Sequence, residues 1–119
     1  MRTSNTVGRY GEDLAARYLS THGFAVLERN WRCELGEIDI VAREGDTLVV
    51  CEVKTRRGLN YGSPAESITY RKLATLRKLA GRWLQTHELR PAEIRIDIIS
   101  VLFDRNTPPS VDHVRGASC

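Results

Sequence analysis

Two neighbouring segments of the chain, residues 36–41 and 49–54, combine the apolar alternation of strands with charged side chains. Gly45-Asp46 between them suits a two-residue hairpin turn. In such a hairpin the numbers of facing residues sum to 91, so we expect Asp39 to face Glu52. Opposed carboxylates repel each other unless a cation lies between them, and their oxygens are ligands that Mg²⁺ and Mn²⁺ prefer. The spacing therefore predicts a divalent-metal site.

A lysine follows this pair of acids on the same strand face. Lys54, two residues beyond Glu52, could position a water molecule or stabilise the charge that develops on a phosphate. A plainer alternative is a salt-bridge ladder, because the same register sets Glu37 opposite Lys54 and leaves Asp39 to accept hydrogen bonds. Alternation also predicts one wholly apolar, buried face of the hairpin. Its members are Ile38, Ile40, Ala42, Val49, Cys51 and Val53.

Basic residues are concentrated just beyond this hairpin. From Lys54 to Arg82 there are eight basic residues and one acid, a net charge of +7, whereas the rest of the chain carries −4. This asymmetry fits a polyanionic ligand whose phosphates meet a metal, although a solvated helix face would give the same composition. The candidate nucleic-acid contacts are Arg56, Arg57, Tyr61, Arg71, Lys72, Lys78 and Arg82.

Four other residues have a functional and a structural interpretation. Lys72 projects from the apolar stripe of a predicted helix, where it either enters the cleft or extends its ammonium to solvent. Glu12 flanks the apolar face of the first helix and is either a site acid or solvated. Asp97 either adds a carboxylate or pairs with Arg95. Trp31, like Tyr61, either stacks on a base or anchors a loop.

The periodicity of the chain predicts the elements that position these residues. Two helices and four strands follow in the order α-β-β-β-α-β: helix 7–22, strands 24–29, 37–43 and 47–55, a helix from Ser63 or Thr69 to Thr86, and strand 93–103. We expect a single α/β domain over residues 1–119 with a mixed sheet, helices on its faces and at least one parallel pair. Residues 104–119 are expected to form a tail, a loop with at most a short extra element.

Composition excludes several classes of protein. No apolar run is long enough for a membrane span, and the N-terminus lacks the apolar stretch of a signal peptide, so we expect a cytoplasmic protein. Three scattered cysteines form no Cys-x-x-Cys, and the three histidines lack ligand spacing, which disfavours zinc and leaves an oxygen-preferring ion open.

The motif Asp39…Glu52-Val53-Lys54 resembles the signature of the PD-(D/E)XK nucleases, with Ile38 in place of the proline. The whole chain is similar to the YraN-like family of functionally uncharacterised bacterial proteins. The matching segments are Gly11-Glu12, Asn30-Trp31-Arg32, Gly36–Asp39, Glu52–Arg56, Tyr61-Gly62, Lys72 and Arg95-Ile96-Asp97.

This resemblance implies a restriction-endonuclease-like core and, through similarity to archaeal Holliday-junction resolvases, a dimeric DNA endonuclease that uses Mg²⁺ or Mn²⁺ and acts on branched DNA. It implies Glu12, Asp39, Glu52 and Lys54 as the active site, with the three acids as metal ligands. Two other functions stay open: a nucleic-acid-binding module without turnover, and an interaction protein in which the acidic pair is structural.

Overall fold

The computed structural model describes residues 6–57 and 68–117. Tyr61 and the predicted helix start at Ser63 lie outside them. The described elements are α1 (Thr6–Thr21), β1 (Ala25–Cys33), β2 (Gly36–Glu44), β3 (Thr47–Arg57), α2 (Tyr70–Gln85), β4 (Glu93–Asp104) and β5 (Thr107–Val114). The predicted α-β-β-β-α-β order is confirmed. The tail predicted for residues 104–119 is instead largely a fifth strand.

The five strands form one sheet in the order β1-β2-β3-β4-β5. The pairing of β3 with β4 is parallel and the other three pairings are antiparallel, which confirms the predicted mixed sheet. The central strand β3 is therefore hydrogen-bonded on both sides. Among the described residues, no helix is both long and apolar enough to cross a membrane.

One helix covers each face of the sheet. The α1 face buries Ala15, Leu19, Phe24, Ile40, Ala42, Val49, Cys51, Ile99 and Val101. The α2 face buries a larger set of residues, which includes Ile38, Val41, Leu48, Val50, Leu73, Leu76, Leu79, Trp83, Ile96 and Ile98. Successive residues of β3 alternate between these two cores, as strand geometry requires.

The start of α2 is fixed by a capping threonine. Thr69 has an extended backbone, and its hydroxyl accepts a hydrogen bond from the backbone N–H of Lys72 at 3.1 Å. This is one of the helix N–H groups that has no partner within the helix, so the cap stabilises the first turn. The sequence offered Thr69 as one of two helix starts, and the described helix begins there.

The β2–β3 hairpin has the predicted turn and register. Gly45 has φ +59°, the left-handed value that favours glycine at the first central position of a two-residue turn. Paired residues sum to 91 from Glu44–Thr47 to Ile40–Cys51, where the ladder ends. The predicted pairing of Asp39 with Glu52, and that of Glu37 with Lys54, is therefore wrong, because the first residues of β2 pair only with β1.

At the level of Asp39 the side-chain alternation of two strands shifts by one residue. Ile38 packs in the α2-face core although Ile40 packs in the α1-face core. On β1, Trp31 packs against the α2-face core, whereas Arg29 pairs with Asp13 of α1. The prediction that Ile38 shares a face with Ile40 is therefore wrong.

On β1 the shift occurs at Asn30, which has φ +56° and is absent from the pairing with β2. In the register of its neighbours it would face Asp39. A left-handed residue turns the following side chain to the opposite face, and asparagine is among the few residues that adopt this conformation readily. Asn30 therefore lets Trp31 and Ile38 reach the same core.

We expect Asn30→Val to lower the free energy of unfolding by about 1–2 kcal/mol, because a β-branched residue is strained at positive φ. Asn30→Gly should change it by less than about 0.5 kcal/mol, since glycine adopts this conformation without strain. Urea unfolding of both variants measures the difference. Equal stabilities would show that the left-handed conformation of this residue is not required.

Candidate functional site

Glu52 is the centre of the candidate site. It lies on β3, only 7% of its surface is exposed, and it shares the α2 face with Val50. Its Oε2 atom lies 3.6 Å from the Lys54 Nζ and 3.5 Å from the Lys72 Nζ. A buried carboxylate without a partner would be strongly destabilising, so these two ammonium groups are what permits its burial.

Lys72 reaches this site from the first turn of α2. Its neighbours Leu73 and Leu76 are buried in the α2-face core, which holds the helix against the sheet. The ammonium group thus extends from the edge of the apolar stripe to Glu52. The alternative of a lysine that extends only to solvent is wrong for the described structure, although 42% of the side chain is exposed.

Asp39 occupies the point where β2 leaves β3. Its Oδ2 accepts a hydrogen bond from the backbone N–H of Val53 at 2.9 Å. The carboxylate takes the position that a main-chain carbonyl of β2 would occupy if the ladder continued, so the amide stays satisfied. Asp39 is therefore brought beside the residue that follows Glu52, although the two acids are not paired across the ladder.

Glu37 does not form the salt-bridge ladder that the sequence left open. It lies 3.5 Å from the Arg32 Nε atom, on the strand pair β1–β2. Because the β2–β3 ladder ends at Ile40, Glu37 is not positioned opposite Lys54. The ammonium of Lys54 instead contacts the acid on its own strand.

Glu12 is buried beside β3, with 6% of its surface exposed. The preceding residue explains this position, because a Cβ atom at Gly11 would lie 3.1 Å from the Cβ and 2.2 Å from the Oγ1 of Thr55. Only glycine permits so close an approach of α1 to the strand. Glu12 therefore reaches β3 from the α1 face, whereas Glu52 and Lys54 lie on the α2 face.

The donor atoms of the site fit an oxygen-preferring ion. Within residues 6–57 and 68–117, no group of three or more His, Cys, Asp or Glu side chains is arranged to hold a metal ion. Asp39 and Glu52 could supply two carboxylates, and Mg²⁺ is commonly held by one or two carboxylates together with water and substrate phosphates. Burial raises the pKa of the Cys51 thiol, which therefore stays protonated and is not a ligand.

The predicted phosphate contacts differ in their surroundings. Arg56 is half-buried and Arg57 is exposed, both at the end of β3, while Arg71 and Lys78 are exposed on α2. Arg82 pairs with Glu34, which raises the pKa of the guanidinium and lowers that of the carboxyl. This arginine is thus held by an acid of the protein itself.

Trp31 is not an exposed stacking residue. It is partly buried and packs against the α2-face core. The prediction that Trp31 lies in a loop is wrong, because Trp31 belongs to β1 and is half-buried.

Asp97 belongs to a separate polar cluster on the α1 face. It is fully buried and accepts hydrogen bonds from Arg95 at 2.8 and 3.0 Å and from the Gly116 N–H at 3.0 Å, while the His113 Nε2 lies 2.7 Å away. The salt bridge with Arg95 that the sequence allowed is confirmed. The Tyr18 hydroxyl lies 3.1 Å from the His113 Nδ1 and extends the cluster to α1.

Burial alone would raise the pKa of Asp97, but the bonds from Arg95, Gly116 and His113 outweigh it and lower the pKa. No sequence pattern indicated roles for His113, which lies in the segment interpreted as a tail, or for Tyr18, which belongs to the apolar face of α1. This cluster joins β4, β5 and α1. Both carboxylate oxygens of Asp97 already have two partners each, so this acid is not available to bind a ligand.

Comparisons with known proteins add a family. A model of the uncharacterised protein family UPF0102 matches residues 11–101. A UPF0102 protein of Parafrankia sp. (strain EAN1pec) is 56% identical over 117 residues, which cover 98% of this chain and 99% of that protein. A UPF0102 protein of Nocardioides sp. is 56% identical over 110 residues, 92% of this chain and 89% of that one. One of Arthrobacter sp. (strain FB24) is 51% identical over 116 residues, 98% of both.

Among solved structures, the chain is similar to Hjc, a Holliday junction resolvase from the archaeal hyperthermophile Archaeoglobus fulgidus. The TM-score is 0.46 at 21% sequence identity, and the match covers 87% of this chain and 72% of that one.

We expect Asp97→Asn to lower the free energy of unfolding at pH 7 by about 3 kcal/mol, because it removes the charged partner of Arg95 inside the protein. The folded-state pKa of Asp97 is lowered, so its stabilisation is full above the ordinary value of about 3.9 and is lost as the pH falls through the folded-state value. The difference from the parent chain should shrink below about pH 4 in urea unfolding.

Asp112→Asn is the matched control, because Asp112 is an exposed acid on β5. Its free energy of unfolding should stay within about 0.5 kcal/mol of the parent value. A loss of stability at Asp97 that is independent of pH down to pH 2 would contradict the assigned charge of this acid.

Proposed function

We propose that this chain, which belongs to the uncharacterised protein family UPF0102 as its sequence motifs predicted, is a Mg²⁺- or Mn²⁺-dependent endonuclease that hydrolyses DNA. The observation that carries the proposal is the convergence of two lysines on the buried Glu52 carboxylate, next to Asp39 at the split between β2 and β3. Charged groups of both signs are thereby concentrated at one end of the sheet, where β2 no longer covers the edge of β3.

Asp39 and Glu52 are the proposed ligands of the ion. When bound, such an ion would neutralise phosphate charge and lower the pKa of water in the site. Asp39 is held in place by the Val53 N–H, and Glu52 by its position in the strand, so neither acid needs to reorganise far to act. Preorganised charges of this kind are the main source of catalysis in many enzymes.

Lys54 is the proposed catalytic lysine. Its ammonium, on the same strand face as Glu52, can hold the attacking water in position or donate a hydrogen bond to the phosphate as negative charge develops. Glu12 is proposed to support the site from the α1 side of β3. It would act through the gap that opens beside Asp39, since its helix lies on the opposite face from Lys54.

DNA phosphates are proposed to bind along the end of β3 and the exposed side of α2. Arg57, Arg71 and Lys78 are exposed and can contact phosphates from their present positions. Arg56 is a half-buried candidate beside them, and Lys72 would contact a phosphate by leaving Glu52. Arg82 could do so only by exchanging Glu34 for a phosphate. Tyr61, which lies outside the described residues, stays a predicted contact.

We propose that the protein acts on branched DNA as a homodimer in the cytoplasm, which is what the sequence resemblance implies. A panel of four-way, flapped and single-stranded DNA with Mn²⁺ would identify the preferred structure, and analytical ultracentrifugation would give the oligomeric state.

One observation favours a second function, a DNA-binding module without turnover. The charge of Glu52 is already compensated by two lysines of the chain itself, so the fold does not require an ion. Such a module would bind DNA with an affinity that falls steeply with salt and would cleave no substrate of the panel.

We expect Lys54→Ala and Glu52→Gln each to lower the rate of Mn²⁺-dependent cleavage by about 100-fold or more, which is the scale of a lost acid–base or charge-stabilising group. Glu93→Gln is the matched control, because Glu93 is an exposed acid at the far end of β4. Its cleavage rate should equal that of the parent chain. Unchanged cleavage in the Lys54→Ala variant would refute the proposed site.

Two substitutions at Asp39 separate catalysis from folding. Asp39→Ala leaves the Val53 N–H without its acceptor and should lower the free energy of unfolding by about 1–2 kcal/mol, whereas Asp39→Asn keeps an acceptor oxygen and should cost less. Both variants should lose cleavage equally, because both remove the charge. If Asp39→Asn cleaves normally while Asp39→Ala is only less stable, the acid is structural.

A further inference from the structure

The two lysines contact the same oxygen atom of the same acid. The Nζ atoms of Lys54 and Lys72 both approach the Oε2 of Glu52, so two positive charges oppose one negative charge in a site where that carboxylate is mostly buried. Two ammonium groups held on one carboxylate carry the same charge as a divalent cation. The arrangement therefore resembles the charge distribution of a metal-bound carboxylate.

We propose that Lys54 and Lys72 take the place of a divalent cation beside Glu52 when no metal is bound. When the cation binds, both ammonium groups move to a DNA phosphate, so that metal and DNA bind cooperatively. This inference rests on the proposed function of the same site. It assigns to Lys72 a role as a positioning residue that links metal binding to substrate binding, beyond a contact with phosphate alone.

Charge balance requires the exchange. A divalent cation on Glu52 and Asp39 together with both ammonium groups would place four positive charges beside two carboxylates, and like charges at such distances repel strongly where solvent is partly excluded. Metal that binds without DNA must therefore displace the lysines to solvent. When a phosphate is present it supplies the negative charge that receives them, and the metal binds more tightly.

The lysines are held loosely enough to move. Their distances of 3.5 and 3.6 Å from Glu52 exceed the 2.7–2.9 Å that is typical of tight charge-assisted hydrogen bonds. Their side chains are 42% and 31% exposed for Lys72 and Lys54, and each ammonium sits on a flexible stem of four carbons. Both can therefore leave the carboxylate without unfolding the helix or the strand.

The coupling between metal binding and DNA binding can be measured from either ligand. If DNA raises the affinity for Mn²⁺ by some factor, Mn²⁺ must raise the affinity for DNA by the same factor. Substitution of one lysine by a neutral residue removes part of the competition with the metal, so it should strengthen metal binding in the absence of DNA. The same substitution should weaken the coupling, because one fewer ammonium is transferred to the phosphate.

The experiment is titration of the full chain with Mn²⁺, followed by the electron paramagnetic resonance signal of free Mn²⁺, with and without a phosphorothioate DNA that resists cleavage. Lys72→Gln should bind Mn²⁺ on the order of 3- to 10-fold more tightly than the parent chain without DNA; tenfold corresponds to about 1.4 kcal/mol. DNA should raise the Mn²⁺ affinity of the parent chain by about tenfold and that of Lys72→Gln by less.

Arg77→Gln is the matched control, since it removes one positive charge from an exposed position of the same helix that is not among the proposed phosphate contacts. Its Mn²⁺ affinity without DNA should equal that of the parent chain, and thermal unfolding without metal checks that both variants fold. Equal Mn²⁺ affinities of Lys72→Gln and the parent chain would overturn this inference alone. Absence of Mn²⁺ binding from every variant, with or without DNA, would overturn the proposed function and this inference together.

Discussion

The loss of pairing between β2 and β3 is the constraint on which the candidate site depends. Where these strands are paired from Ala42–Val49 to Ile40–Cys51, their side chains are buried in the core. Beyond that point β3 continues beside β4 while β2 stays paired with β1. On the edge of β3 that β2 no longer covers, the Val53 backbone N–H donates a hydrogen bond to the Asp39 carboxylate. The same strand thus provides apolar packing at one end and charged groups at the other, held on one rigid element.

The two buried acids of the sheet differ in how closely their partners hold the carboxylate. Asp97 has partners at 2.7–3.0 Å on both oxygens, from an arginine, a histidine and a backbone amide. Glu52 has two longer ion pairs, both with lysines whose side chains are partly exposed. The first arrangement leaves little to gain from another ligand. The second keeps a negative charge inside the protein with partners that can be exchanged, as binding a cation requires.

Much of the fold could be predicted because local patterns and tertiary structure agree. The apolar alternation, Gly45-Asp46 and the apolar stripe of α2 each specify one element, and hairpin geometry then fixes the register by counting. β5 was underestimated because Pro108-Pro109 is typical of loops. Proline is tolerated in an edge strand, where its missing N–H has no ladder partner to lose.

The residues of the candidate site were easier to predict than their arrangement in space. Strand alternation assumes that each residue turns the chain by the same angle. The left-handed Asn30 breaks that assumption on β1, and Ile38 departs from it on β2. Helical periodicity gave the direction of Lys72 around α2 but not its distance from β3, which depends on packing of the whole helix. Asp39 is held near Glu52 by a hydrogen bond from the backbone N–H of Val53, an interaction that no sequence pattern predicts.

The close contact between Gly11 and Thr55 has a consequence for reading natural variation in chains of this fold. Any side chain at position 11 would force α1 away from β3 and carry Glu12 outward with it. A larger residue at that position would therefore mark a chain in which the helix and the strand have separated. Such a substitution, far from the acidic pair in sequence, would serve as a diagnostic for divergence of the site even where Asp39, Glu52 and Lys54 are all retained.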